Sequence, residues 1–350
     1  MVQLNTGITL FLSLLVEAIP FLLIGVAFSS LLLFFVDERW LVGTLPKNAF
    51  LGALVGSLLG VFFPVCECGN VPVARRLLVQ GAPTAVSVGF LLAAPTVNPV
   101  VFWATWVAFR GQPEMVVLRV VCTLLIATMV GWVFSVQSDI GPFLQDTVAR
   151  SRFQDRSSTR SGARSSEKKS TGPIATQSAL LQGGTFLQGP NNEMMQLDTP
   201  AAQRLVANPM LSQSPASKFQ LMVENIVREL RELGAVLVLG SAIAATVQVA
   251  IPREMILGLG QGMVSSILAM MILAAVVSIC STVDSFFALS FASTFTSGSL
   301  LAFLIFGPMI DLKNIGLLLT VFKSRAVFYL FALASLMSFT MALAVNLYLG

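Results

Sequence analysis

One polar pattern occurs twice within otherwise apolar sequence, at a nearly constant separation. Glu17, Gly25, Cys66, Asn70, Pro95 and Asn98 are matched by Glu232, Gly240, Cys280, Asp284, Pro308 and Asp311. The offset is 215 for the first two pairs, 214 for the next two and 213 for the last two. Each drift has the form of a single deletion within a duplicated unit. A repeat on this scale in apolar sequence points to two related membrane halves, the plan of many secondary transporters. The matched residues are acidic, amide, thiol or helix-breaking. Hydrocarbon makes such groups costly, so they are the first candidates for function.

Composition agrees with a membrane setting: hydrophobic residues make up 55% and charged residues 11%, against about 25% charged in soluble domains. Apolar runs at 7–36, 49–65, 116–137, 233–251, 262–280 and 325–349 read as spans, each long enough to approach or cross a core of about 30 Å. The first is too long and apolar for a signal-peptide core. Each half adds two segments: 70–82 with its partner 284–297, and 84–109 with its partner 299–322. The second pair is interrupted at Pro95-Thr-Val-Asn98-Pro99 and at Gly307-Pro308-Met-Ile-Asp311. Proline removes a backbone donor and clashes with the preceding turn, so Pro64, Pro72, Pro95, Pro99 and Pro308 are read as helix breaks. Broken helices survive at membrane depth only where they face protein or a cavity. The fold class is therefore all-α: a polytopic membrane protein of about 8–10 transmembrane helices in two internal repeats.

The first repeat covers 1–137 and the second 219–350. Between them, 138–218 is rich in Ser, Thr, Gln, Gly and Arg, with nine Lys/Arg against six Asp/Glu. That composition predicts a disordered linker, and its basic excess predicts a cytoplasmic position. Residues 219–232 read as an amphipathic surface helix leading into the next span. With five crossings per half, the halves are inverted and the N-terminus is outside. Arg39, Lys47, Arg75, Arg76, Lys323 and Arg325 then join the linker inside, and Arg110, Arg119 and Arg253 fall outside. With four crossings per half, only Arg75 and Arg76 join it. The positive-inside rule favours five plus five.

Several functions are excluded or disfavoured. The chain has no histidine, which removes His-based catalysis, haem ligation by His and His-containing zinc sites. No phosphate-binding G-x-x-x-x-G-K-[ST] motif occurs, so nucleotide hydrolysis is not the energy source. The net charge of +4 is modest and concentrated in the linker, which speaks against nucleic-acid binding. The four cysteines, Cys66, Cys68, Cys122 and Cys280, have neither zinc-ribbon nor disulfide-framework spacing. No enzyme activity, cofactor or resident metal is expected. The expected partners are a small-molecule substrate and the lipid bilayer of the plasma (inner) membrane.

The densest constellation is Pro64-Val-Cys66-Glu67-Cys68-Gly69-Asn70-Val-Pro72-Val-Ala-Arg75-Arg76. Thiolates are soft ligands that suit soft metals or thiophilic metalloids, and a neighbouring arginine favours the thiolate form. Cys280 and Asp284 are the matching positions in the second half. Cys66 and Cys280 are thus expected to meet at the repeat interface, where transporters bind substrate. Asn98 and Asp311 each follow a proline by three residues; they read as ligands for ions or polar solutes and as helix caps. Glu17, ten residues into its span, and Asp311 are the candidates for proton or ion coupling. Glu232 lies at a span entrance, and Cys122 reads as a small packing residue.

The stretches Phe63–Arg76, Phe90–Pro99 and Cys280–Asn314 resemble the ArsP-type family of predicted permeases, which includes exporters of trivalent organoarsenicals. The resemblance covers both membrane halves and omits the linker. It implies a permease in which thiols at Cys66, Cys68 and Cys280 exchange onto the metalloid. The substrate-binding set is then Cys66, Cys68, Asn70, Arg75, Arg76, Asn98, Cys280, Asp284 and Asp311. A different reading remains open: one matched cysteine per half also suits a transmembrane thiol/disulfide electron carrier.

Overall fold

The computed structural model describes residues 2–35, 45–46, 48–63, 66–136, 186–188, 194–196, 215–250, 262–292 and 294–348. The first half contains α1 (Val2–Phe35), α2 (Ala49–Leu59, continued by a 3-10 turn, Gly60–Phe62), α3 (Glu67–Val79), α4 (Thr84–Val97), α5 (Pro99–Ala108) and α6 (Pro113–Val136). The second contains α7 (Pro215–Ala250), α8 (Met263–Val277), α9 (Asp284–Leu289), α10 (Ser297–Met309), α11 (Leu312–Leu318) and α12 (Ser324–Tyr348). Among the described residues, six stretches are long and apolar enough to cross a membrane: Asn5–Leu32, Thr84–Ala108, Pro113–Ser135, Met222–Val249, Ser297–Leu318 and Ser324–Tyr348. Two shorter apolar ones are Ala49–Phe62 and Met263–Val277. The protein is a multi-pass integral membrane protein.

The described residues of 1–152 and 229–350 form one compact unit, and those of 153–228 a second. The second unit lies largely in 138–218, the segment expected to be a disordered linker, and most of that segment is outside the described residues. It holds two three-residue strands, β1 (Phe186–Gln188) and β2 (Met194–Gln196), paired antiparallel with Phe186 opposite Gln196. Gly189, Pro190 and Asn191, between the strands, are turn-forming residue types. The expected surface helix at 219–232 and the span after it are one continuous helix, α7, of 36 residues.

In the main unit, α2, α4 and α6 pack as a three-helix bundle, and so do α8, α10 and α12. The bundles meet through α4 with α10 and through α6 with α10 and α12. The short elements cross over: α3 packs on α11 and α5 on α9. Every residue of α4 is buried, so α4 lies at the centre of this unit. Small residues let backbones approach where no water drives association. A Cβ on Gly56 would lie 2.1 Å from the Val86 carbonyl oxygen, and one on Gly25 would lie 2.2 Å from that of Gly69. Gly25 thereby lets α1 run against the start of α3.

The two interruptions fall within the expected stretches, at Asn98–Pro99 and Ile310–Asp311, but not at every proline read as a break. Pro72, Pro95 and Pro308 lie inside α3, α4 and α10. One proline costs one ladder bond and a steric clash, which a helix packed on its neighbours absorbs. The ends come three residues after Pro95 and Pro308, where a side chain can cap. Asn98 Oδ1 accepts from Val101 N at 2.8 Å, and Asn98 Nδ2 reaches back to the Ala94 and Pro95 carbonyls. Pro99, at the first position of α5, has no N–H to give to Pro95. Asp311 caps α11 in the same way, accepting from Asn314 N at 2.6 Å. Pro64 lies outside the described residues. The segment expected at 284–297 is helical only over six residues, Asp284–Leu289. Ser290, Thr294 and Thr296 follow it, and such residues compete with helix by bonding their own backbone.

Candidate functional site

The site is built where α3 begins, where the chain turns between α8 and α9, and where α11 begins. Cys66 is the N-cap of α3 and Glu67 its first residue. Glu67 is buried to 2% exposure, at the helix end where the macrodipole favours negative charge. From the second half, Ser278 ends α8 with φ 47°, a left-handed conformation uncommon for a residue with a Cβ. The Ser278 hydroxyl holds it there: it donates to Ala275 O and accepts the Leu312 N–H at 3.2 Å. The turn delivers Cys280 to the start of α3.

The two matched cysteines meet. The sulfurs of Cys66 and Cys280 and a carboxylate oxygen of Glu67 lie within 4.8 Å of one another. Cys68 is near enough to Cys66 to interact with it electrostatically. All three cysteines are buried. Lys313, on α11, reaches into this cluster. Its ammonium lies 3.6 Å from Glu67 Oε1 and 3.8 Å from Asp311 Oδ2, and all three side chains are about 2% exposed. Both distances exceed an ordinary hydrogen bond, so the contacts are coulombic. Around Lys313, several buried polar atoms have no hydrogen-bond partner: Glu67 Oε2, Asp311 Oδ2, Asn314 Oδ1, and both Oδ1 and Nδ2 of Asn70. Asn70 is one turn beyond Glu67 on the same helix face. Native interiors satisfy nearly all such atoms, so these retain hydrogen-bonding capacity for a ligand or for water.

A second buried charge cluster lies between α5, α6 and α9. Arg119 is 1% exposed and donates to Asp284 Oδ2 at 2.7 Å, Ser285 Oγ at 2.7 Å, Thr105 Oγ1 at 2.8 Å and Ser281 O at 3.4 Å. Ser285 Oγ donates to Asp284 Oδ1. This network joins α5 and α6 of the first half to α9 of the second.

Of the residues singled out from sequence, Cys66, Cys68, Asn70, Cys280 and Asp311 share the first cluster. Asp284 belongs to the second, and Asn98 to the α4–α5 junction. Glu17, half-buried on α1, is near enough to Cys280 to interact with it electrostatically. Arg75 is not a thiol neighbour: it pairs with Glu232 of α7 at 3.2 Å, and Glu232 is about half exposed. Arg75 is eight residues beyond Glu67, about 12 Å farther along the helix axis at about 1.5 Å per residue. Arg76 is partly buried on α3. The cation beside the thiols is Lys313, and Lys313 and Arg119 are the two functional candidates that the sequence reading passed over. Both are single basic residues inside apolar runs, the signal that intramembrane charge gives. The cysteine spacing predicts no metal-binding group because its donors come from segments 214 residues apart.

Sequence comparison agrees with the architecture. The model of a family described as predicted permease, ArsP_1, matches residues 3–347. The UPF0718 protein YcgR of Bacillus subtilis is 36% identical over 328 residues, covering 94% of this chain and 92% of that one. A Streptococcus mutans protein, described as a predicted two-component membrane permease complex subunit, is 28% identical over 331 residues, with 94% and 91% covered. The UPF0718 protein YraQ of Escherichia coli is 30% identical over 109 residues, 31% of this chain and 32% of that one. No solved structure matches.

Proposed function

Because the chain belongs to the ArsP_1 family of predicted permeases and is a multi-pass integral protein of the plasma membrane, we propose that it exports a small thiophilic solute. A trivalent organoarsenical or metalloid is the leading class, and a proton or ion gradient the driving force. The observation that carries this reading is the meeting of Cys66, Cys68 and Cys280 in one buried cluster. Soft thiol donors from both halves suit a soft solute, and a site shared by two halves is what rocking one half against the other can expose to either side. Asp311 and Glu17 are the coupling carboxylates on this reading, with Lys313 the internal counter-ion for Asp311. Asn70 and Asp311 supply polar contacts. The halves are related as inverted repeats, in keeping with the matched order of α1–α6 and α7–α12, and the 138–218 segment is a cytoplasmic tether. The name of the Streptococcus mutans relative supports a second membrane subunit as partner.

The test is transport by the reconstituted full chain. Everted vesicles should accumulate a trivalent phenylarsenical when a proton gradient is imposed, and Cys66→Ser with Cys68→Ser should abolish accumulation at unchanged expression. Accumulation at the parental rate would remove the thiols from the site.

The closeness of the Cys66 and Cys280 sulfurs supports a second reading, a thiol/disulfide electron carrier. It requires a Cys66–Cys280 disulfide that forms and is reduced during turnover. Alkylation and mass spectrometry of membranes taken in oxidising and reducing conditions decide it: a permanently reduced pair excludes the carrier.

A further inference from the structure

We propose that Cys66, Cys280 and Glu67 form a binding site for a soft or borderline divalent cation of the zinc–cadmium kind, carried as cargo. The inference rests on the permease reading and names a substrate class for its site. Two sulfurs and one carboxylate oxygen, all buried and all within 4.8 Å, form an S2O donor set. At about 2.3 Å per Zn–S bond, two sulfurs on one tetrahedral ion lie about 3.8 Å apart. The sulfurs, within 4.8 Å, are therefore at most about 1 Å farther apart than one ion requires. Hard cations are disfavoured, because sodium, magnesium and calcium call for all-oxygen shells.

Independent of the thiols, Glu67 Oε2 and both amide atoms of Asn70 are buried without partners, and Asn70 is fully enclosed at 0% exposure. A bound cation gives Glu67 a use for the oxygen that Lys313 does not reach. Asn70, one turn along, can hydrogen-bond a ligand or a water on the ion, the outer-shell support that metal sites need. Charge also balances. Each thiol gives its proton to water as its sulfur bonds the ion, so one M2+ replaces two protons and the cluster's net charge is unchanged. Lys313 remains to offset Glu67 and Asp311. Three protein donors leave a fourth position open, unlike the closed four-ligand sets of structural zinc, and an open position is where an incoming ligand can begin exchange.

Glu67 separates this inference from the arsenical reading. A trivalent arsenical bonds two thiols and has no use for the carboxylate, whereas the cation takes all three donors. The experiment uses the purified full chain in detergent, titrated with Cd2+ and read by sulfur-to-cadmium ultraviolet absorbance and by metal analysis after desalting. The expected result is one Cd2+ per chain, with Cys66→Ser and Cys280→Ser each weakening binding at least about tenfold, Glu67→Gln about 10–100-fold, and Cys122→Ser having no effect. X-ray absorption of the cadmium-loaded parental protein should read two sulfurs and light-atom neighbours, which tests the site even where a variant fails to fold. The same variants are titrated with a trivalent phenylarsenical, whose binding should survive Glu67→Gln. Absent Cd2+ binding with intact arsenical binding overturns the cation site and leaves the permease reading standing; loss of both overturns both. Cd2+ bound equally by Cys66→Ser and Cys280→Ser, or an all-oxygen shell, also overturns the site.

Discussion

Asn70 and Asp284 occupy matched positions in the two halves, 214 residues apart, yet their surroundings differ. Asp284 has both carboxylate oxygens hydrogen-bonded, one by Arg119 at 2.7 Å and one by Ser285. Asn70 has neither amide atom bonded. The clusters around them differ in the same way. Arg119 makes four hydrogen bonds, three of them to the other half, whereas Lys313 touches its carboxylates only at 3.6 and 3.8 Å. A buried charge held by four hydrogen bonds, with both oxygens of its carboxylate partner satisfied, reads as a fastening, although Arg119 Nε has no partner. A buried charge held loosely among unpartnered oxygens retains capacity and reads as a site. Polar interiors are high-stakes in either form.

The largest expected effect breaks the fastening. Arg119→Leu leaves Asp284 buried without its cation, a change of about 3–5 kcal/mol. Thermal unfolding in detergent should show a large loss, partly restored in the double variant Arg119→Leu/Asp284→Leu, because replacing both partners by apolar groups removes the stranded charge. A single variant as stable as the parent would mean that Arg119 is not a fastening and that the contrast with Lys313 is false.

Lys313→Met should differ in its effect on transport. It strands two buried carboxylates, so its stability cost should also be about 3–5 kcal/mol. Transport should fall to background, because Glu67 and Asp311 lose their counter-ion in the site. Stability and transport of the two variants, measured side by side, check the comparison directly. A Lys313→Met protein that transports normally would make Lys313 the structural charge.

A smaller effect separates the matched glycines. Gly25→Ala would press a methyl to 2.2 Å from the Gly69 carbonyl oxygen, whereas at Gly240 the nearest atom, Lys313 Cα, is 3.4 Å away. Overpacking should cost Gly25→Ala about 1–3 kcal/mol and disturb the start of α3. Gly240→Ala should be near neutral, since Ala gains up to about 1 kcal/mol over Gly within a helix. Equal melting temperatures for the two variants would mean that α1 and α3 can separate without cost.

The legible part of this molecule was what hydropathy and backbone chemistry control. The spans are visible as apolar runs, and the two interrupted helices as Asn98 and Asp311 placed beyond a proline. The meeting of Cys66 with Cys280 was legible because the two cysteines hold matched places in the recurring polar pattern, which pairs residues that local spacing does not. Lys313 and Arg119 were less legible for opposite reasons. Arg119 fits either a span end or a buried network, and only its partners on α9 decide. Lys313 follows Asp311 by two residues, and whether it turns inward depends on how α11 leaves the break. The proline positions misled because a proline weakens one ladder bond, while a helix ends where a capping side chain and a missing N–H coincide, as at Asn98–Pro99.

The smallest effect concerns Arg75, which the sequence placed next to the thiols and the fold places on Glu232. That pair is 3.2 Å apart, with the two side chains 20% and 48% exposed. A partly exposed pair is worth about 0–1 kcal/mol, since water and salt already screen much of its attraction. A double-mutant cycle on Arg75→Gln and Glu232→Gln should therefore give a coupling energy within that range, falling as salt is added. The informative readout is at the thiols. If Lys313 is the cation that acts on Cys66 and Cys68, Arg75→Gln should leave their reaction with a small membrane-permeant alkylating agent unchanged, and Lys313→Met should alter it. A change in thiol reactivity in Arg75→Gln alone would return the guanidinium to the site and with it the order of importance that the sequence suggests.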